Sequence, residues 1–130
     1  MRTTLESYAY TALRVVTGLL FLFHGLQKLF GMYGGQVAPM GSLFWVAGVL
    51  ELAGGLLIMV GLMTSIVAFL LSGEMAVAYF KVHLPQAFWP IENQGELAAL
   101  YCFIFLFIAT RGPGMFSLDR AFGRSDRRQT

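Results

Sequence analysis

The sequence predicts an all-α integral membrane protein, a four-helix bundle with both termini in the cytoplasm. Three observations predict it. Apolar residues make up 57% of the 130 residues and charged residues only 12%, against about 45–50% and about 25% in soluble domains. These apolar residues fall into four runs divided by Gly, Pro and polar breaks, and a chain of this length has room for about four spans of about 20 residues. Arginines gather next to the first and last runs and are sparse between them. The mean hydropathy of +0.67 agrees.

The first segment runs from about Tyr8 to Phe30 and keeps Arg14, His24 and Lys28 toward its ends. Long basic side chains there can snorkel to water, which limits their cost. Arg2 ahead of the apolar stretch Val15 to Phe23 imitates a secretory leader. His24, Gln27 and Lys28 continue the helix, however, and no small-residue cleavage pattern comes after them, so a retained span is expected. Gly31 to Gly41, with Gly34, Gly35 and Pro39, is an uncharged loop. Segment two spans about Ser42 to Leu62 and segment three about Met63 to His83. The tight Gly61 to Thr64 corner makes them antiparallel neighbours. Leu84 to Gln94 holds Pro85, Trp89, Pro90 and Glu92 and is not helical throughout. Segment four begins near Gly95 and ends by Arg111, because Gly112-Pro113-Gly114 stops a helix. Its uncharged core, Leu97 to Thr110, is short, so Glu96 and Arg111 are expected at the hydrocarbon edges. All four segments, over residues 1–130, form one domain.

Arg111, Arg120, Arg124, Arg127 and Arg128 flank the last span, and Arg2 and Arg14 the first. The loops on the other side have little beyond Lys28 and Lys81. By the positive-inside rule both termini are cytoplasmic, which puts Trp45, Trp89 and Tyr33 near the outer interface. The lipid bilayer is thus the first expected partner, and the polar tail an anchor to anionic lipid. With no basic run interleaved with aromatics, no nucleic acid is expected. The single Cys102 makes no internal disulfide, so a dithiol relay would need a partner's sulfur.

Between Lys28 and Lys81 the only charged side chains are Glu51 and Glu74, each in the middle of an apolar run. An acid at that depth costs roughly 2.5–3.5 kcal/mol on insertion scales and needs a partner, a proton or a task. Helical positions three and four apart share a face. That phase aligns Arg14, Gly18, Phe21, Gly25 and Lys28 in segment one, with His24 on the flank. It gives Gly48, Glu51 and Gly55 in segment two, with Gly54 beside them, where small residues let a neighbouring backbone come close. Segment three offers Val67, Leu71, Glu74, Ala78 and Lys81, and segment four Glu96, Leu100 and Phe103. Counted from the outer ends, His24, Glu51 and Glu74 lie within two turns of one another in depth. One buried cluster of these three is expected, opening outward past Lys28, Lys81 and Glu96. The plainer reading makes each glutamate a packing and assembly device. Three unlike ionisable groups at one depth favour the cluster. Two histidines, His24 and His83, without metal-ligand spacing argue against a haem or other metal site.

The string His24-Gly25-Leu26-Gln27-Lys28-Leu29-Phe30-Gly31, with Glu51-Leu52-Ala53-Gly54-Gly55, Gly95-Glu96-Leu97 and Gly112-Pro113-Gly114-Met115-Phe116-Ser117-Leu118-Asp119, resembles the DoxX family of small bacterial membrane proteins. The resemblance runs over about residues 9–120. It implies a four-helix protein of the bacterial inner membrane, with relatives tied to thiosulfate:quinone oxidoreductases and to sulfur and oxidative-stress chemistry with soluble partners. It carries over His24, Gly25, Lys28, Glu51, Gly54 and Glu96, whereas Glu74 stands on the residue reading alone.

Three functions are compatible with these residues. In the first, the chain is part of a quinone-dependent oxidoreductase: His24, Glu51 and Glu74 exchange protons with a quinone headgroup, and Lys28, Lys81 and Glu96 hold substrate or quinone at the outer mouth. In the second, it is a non-enzymatic anchor or assembly partner of a soluble or membrane redox protein. In the third, it conducts a small solute or protons, for which four short helices would need a homo-oligomer.

Overall fold

A computed structural model of the chain describes residues 4–123. The described residues form helices α1 (Thr4–Phe30), α2 (Leu43–Val60), α3 (Thr64–Ala78), α4 (Pro90–Asn93), α5 (Glu96–Arg111) and α6 (Leu118–Ala121), and no strand. A π-helical turn, Tyr79–His83, continues α3. Three stretches are long and apolar enough to cross a membrane: Thr4–Phe30, Leu43–Val60 and Thr64–His83. Helix α5 has 16 residues, about 24 Å at 1.5 Å per residue, and falls short of that length. Arg2, Arg124, Arg127 and Arg128, which entered the orientation reading, lie outside the described residues.

Helix ends are set by identifiable groups. Ser42 caps α2, its Oγ accepting the Trp45 N–H at 3.2 Å. The helix ends at Gly61, whose φ of +74° is a left-handed conformation that costs glycine nothing. Gly61 and Leu62 N–H groups both return to Leu57 O, at 2.8 and 2.9 Å, closing the corner before α3. That corner leaves the first N–H groups of α3 without a local cap. Asp119, from α6, supplies one: its Oδ1 accepts Met63 N–H at 2.8 Å and its Oδ2 accepts Thr64 N–H at 2.9 Å. A carboxylate at a helix N-terminus is favoured by the helix dipole.

Arg14 is not at an interface snorkelling to water. It is 1% exposed and donates to four carbonyls: Ile58 O at 3.0 Å, Met59 O at 3.4 Å, Pro113 O at 2.5 Å and Phe116 O at 2.7 Å. The physical reason is supply and demand. The end of α2 and the Gly112-Pro113-Gly114 break leave carbonyls without helical partners, and a guanidinium carries five donors. Tyr10 adds a hydroxyl bond to Gly112 O at 2.6 Å. The Gly112 to Asp119 motif is therefore a knot tying α1, the α2–α3 corner and the end of α5. Asp119→Asn keeps the shape but puts an NH2, which cannot accept, in place of one carboxylate oxygen, so one of the two N–H groups loses its partner and the other its charged acceptor. It should lower stability by about 2 kcal/mol, read as a lower midpoint of thermal unfolding in detergent.

Helices α1 and α2 meet backbone to backbone, and α3 packs on α5 and α2. A Cβ added at Gly18 would lie 2.6 Å from Gly55 O, and one at Gly25 would lie 2.5 Å from Leu52 N. The core lies between the pairs, around Phe21, Ile58, Leu71, Phe105 and Ile108. Outward faces expose Leu19, Leu20, Val49, Phe69, Leu70, Phe103 and Phe107, an apolar belt too extensive for a surface facing water. In α5 the inward stripe is Ala98, Tyr101, Phe105 and Ile108. The expected row of Glu96, Leu100 and Phe103 faces outward and is exposed.

Candidate functional site

At the end of the bundle formed by the last turns of α1 and the first turns of α2 and α5, a cavity of about 270 Å³ is lined from α1, α2, the α3–π segment and α5. Its polar members include His24, Lys28, Glu51, His83 and Tyr101. Glu51 is 1% exposed, and its two oxygens each accept from Lys28 Nζ at 2.7 Å. Sequence reading expected Lys28 on a rim above the acid, whereas it binds the acid directly. Gly48 makes this geometry available, since a Cβ there would come within 2.9 Å of Lys28 Cβ. The lysine stem lies across the surface that Gly48 leaves flat.

Aromatic rings form one wall. Tyr101 stands edge-on to Phe21, with centroids 5.2 Å apart, and edge-on to His24 at 6.1 Å. Phe21 packs on Phe105 at 4.9 Å. These rings hold the imidazole in place with no polar partner: neither ring nitrogen of His24 nor the Tyr101 hydroxyl has a hydrogen bond among the described residues. His24 is half-buried and both residues line the cavity, so their polar atoms are available to a ligand there.

Glu51 also borders a second, smaller cavity of about 80 Å³, lined with Glu74, Lys28 and Lys81. The Glu74 carboxyl faces that of Glu51 there, and its Oε1 is buried without a hydrogen-bond partner. Lys81 is exposed and borders only this smaller space among the two. The six expected residues are thus divided. His24, Lys28 and Glu51 share the larger cavity, and Lys28, Glu51, Glu74 and Lys81 share the smaller one. Glu96 belongs to neither. It is the exposed first residue of α5 and borders a separate cleft with Pro90, Leu100 and Phe103. A carboxylate in a first helical turn is stabilised by the helix dipole, which accounts for its position without a role at the cavity.

The cavity also takes in Tyr101 and Gln94, which were not among the expected site residues, and His83, which was weighed only as a metal or haem ligand. Tyr101 had a signal, as the one tyrosine inside the uncharged core of segment four, in step with Ala98 and Phe105. A wider groove of about 550 Å³ lies at the other end of the bundle, between α1 and α5. Its polar members are engaged, with the Arg111 guanidinium 4.5 Å above the Tyr10 ring and the Tyr10 hydroxyl bonded to Gly112 O. Among the described residues no group of three or more His, Cys, Asp and Glu side chains is arranged to hold a metal ion.

The family model described as DoxX matches residues 9–84, which takes in α1, α2, α3 and the π turn. The chain belongs to the DoxX family. It is 41% identical over 122 residues to an uncharacterized protein of Haemophilus influenzae, covering 88% of this chain and 91% of that one. It is 32% identical over 112 residues to a Bacillus subtilis protein named "Putative oxidoreductase CatD", covering 82% and 81%. An uncharacterized membrane protein of Mycobacterium tuberculosis is 28% identical over 132 residues, covering 86% and 80%. No solved structure matches the chain. Family, apolar helices and exposed apolar belt agree that this DoxX protein is a membrane protein. The Gly95-Glu96-Leu97 and Gly112 to Asp119 motifs lie beyond the stretch the family model matches.

Proposed function

We propose that this DoxX protein is a component of quinone-linked redox chemistry in the bacterial inner membrane, and that a quinone headgroup binds in the cavity between His24, Glu51 and Tyr101. The observation that carries the reading is that cavity. At about 270 Å³ it lies just below the usual range of about 300–1,000 Å³ for small-molecule sites, a scale suited to one substituted ring. It offers an aromatic wall for stacking and two unpartnered hydrogen-bonding groups, set among apolar helices that a lipid-soluble ligand can reach. The oxidoreductase named among the relatives supports the same class.

In this reading residues 1–130 form one domain with four spans. Helix α5 is the fourth, with Glu96 and Arg111 at the hydrocarbon edges and both termini cytoplasmic. His24 and Glu51 exchange the two protons that accompany two-electron reduction of a quinone to a quinol, and Glu74 communicates with Glu51 through the smaller cavity. The electrons come from a soluble or membrane redox partner, since the chain's one cysteine cannot cycle as a dithiol. Lys28 acts through Glu51 by holding its carboxylate in place. With its charge already matched, it is a weak lure for an anionic substrate.

The test is titration of a short-chain quinone into the reconstituted protein, followed by tryptophan quenching. Saturable binding is expected, weakened about tenfold or more by His24→Ala and by Glu51→Gln, as expected for loss of contacts worth about 1.4 kcal/mol or more. Binding unchanged in both variants would remove the proposal. The bidentate Lys28–Glu51 pair favours a second reading, a non-enzymatic partner of an oxidoreductase in which the polar groups serve assembly alone. In that case Glu51→Gln lowers the melting temperature and leaves quinone affinity intact.

A further inference from the structure

The π turn at Tyr79–His83 changes which residue α3 presents to the larger cavity. Met75 and His83 both line it. At about 100° per residue, eight residues of α-helix would leave His83 about 80° from Met75. An i→i+5 turn inserts one residue, which rotates the end of the helix back to within about 20° of the Met75 face. The bond that closes it is Leu84 N–H to Tyr79 O, at 2.8 Å.

The neighbours of His83 fix its chemistry. Its Nδ1 lies 3.1 Å from the backbone oxygen of Asn93. A carbonyl oxygen only accepts, so Nδ1 carries the proton, and in the neutral ring Nε2 is left as an acceptor. Nε2 has no partner among the described residues. The support behind this bond is rigid. Asn93 is fully buried, donating through Nδ2 to Ala87 O at 3.0 Å and to the Tyr79 hydroxyl at 3.3 Å, and accepting the Gly95 N–H through Oδ1 at 2.8 Å. Gly95 has to be small, because a Cβ there would lie 2.9 Å from His83 Cβ and 2.7 Å from Asn93 Oδ1. The π turn, Asn93 and Gly95 together hold one imidazole against the cavity in one tautomer.

We infer that His83 is a ligand-binding residue of the larger cavity, accepting a hydrogen bond from a phenolic hydroxyl of the ligand, so that the site holds a hydroquinone in preference to the corresponding quinone. This rests on the quinone reading above and sharpens it to a redox state. A quinol hydroxyl donates to Nε2. A quinone carbonyl turns a lone pair toward the Nε2 lone pair and leaves both acceptors unsatisfied, a mismatch that costs more than the bond itself gains.

The experiment is anaerobic titration of the reconstituted protein with a short-chain quinol and its matched quinone, using wild type and His83→Phe, which keeps a ring but removes the acceptor. Wild type should bind the quinol about tenfold more tightly than the quinone. His83→Phe should abolish the preference, weakening the quinol by loss of the bond and tightening the quinone by loss of the mismatch, so that the two affinities converge. Equal affinity for both forms in wild type, or a preference that survives His83→Phe, overturns the role of His83 and leaves the quinone reading standing. Binding of neither form removes both. Where His83→Phe does not fold, ¹⁵N spectra of histidine-labelled protein decide, with the two histidines told apart by His24→Gln. A protonated Nδ1 and an Nε2 resonance that moves with quinol and not with quinone supports the inference. A protonated Nε2, or an unmoved resonance, overturns it.

Discussion

Gly25→Leu should abolish the folded bundle. A Cβ at this position already lies 2.5 Å from Leu52 N and 2.8 Å from Gly48 O, and both are backbone atoms that cannot rotate away. The three further carbons of leucine would force α1 and α2 apart over several turns. Overpacking a well-filled site costs about 1–3 kcal/mol when side chains can adjust, and here the obstacle is main chain, so about 3 kcal/mol or more is expected. The loss spreads because the contact repeats. A Cβ added at Gly18 would lie 2.6 Å from Gly55 O and 2.7 Å from Met59 N, and one added at Gly55 would lie 2.7 Å from both Gly18 O and Leu22 N. In lipid, where apolar exposure does not drive helices together, such close packing carries much of the association. The measurement is monodispersity on size exclusion with retained helical signal on heating. Gly73→Ala is the control: no atom lies within 4 Å of a Cβ at Gly73, so the variant should match wild type or gain slightly from helix propensity.

The same glycines show what sequence makes legible. Apolar runs with Gly and Pro breaks marked α1, α2 and α3 within a few residues, because hydrocarbon thickness imposes length on any span. Gly48, Glu51, Gly54 and Gly55 on one face marked Glu51 as packed, and it is 1% exposed. What failed was helix phase in α5, where the row through Glu96 was taken as inward and the row through Tyr101 is. In a water-soluble helix the polar face would have settled that, but a helix apolar on every side carries little such information. Glu96 drew the assignment by its charge, although a first-turn carboxylate needs only the helix end beside it.

Three other misses share one cause, backbone behaviour that a 3.6-residue period does not encode. Arg14 is buried because the corner at Gly61 and the break at Gly112 present free carbonyls, and only the folded chain shows that they converge. Asp119 caps a helix that begins 55 residues earlier in sequence. His83 faces the cavity because one π turn shifts the phase, which leaves Lys81, the residue favoured by regular spacing, at the exposed edge of the smaller space. The Lys28–Glu51 pair was missed for a related reason. Both residues were placed on inward faces, but their contact depends on how closely α1 approaches α2.

That pair yields the sharpest separation between a working site and a structural one. Lys28→Met and Glu51→Gln should each destabilise, and unequally. Losing Lys28 leaves a carboxylate that is 1% exposed, whereas losing Glu51 leaves an ammonium group on a side chain that is 29% exposed and can turn toward the solvent. Breaking a buried pair costs about 3–5 kcal/mol. Lys28→Met should approach that range, with Glu51→Gln nearer about 1–2 kcal/mol because its remaining charge is partly solvated. The double variant Lys28→Met/Glu51→Leu buries neither charge and should recover most of the stability, since replacing both partners of a buried pair is often close to neutral. Unfolding midpoints of wild type, Lys28→Met, Glu51→Leu and the double variant give the coupling as a double-mutant cycle. A double variant no more stable than Lys28→Met would show that the two groups hold the bundle by separate contacts. Quinone titration of the stable double variant then divides the readings. Binding lost in a protein as stable as wild type places Glu51 in the ligand site, and binding retained makes the pair a fastener between α1 and α2.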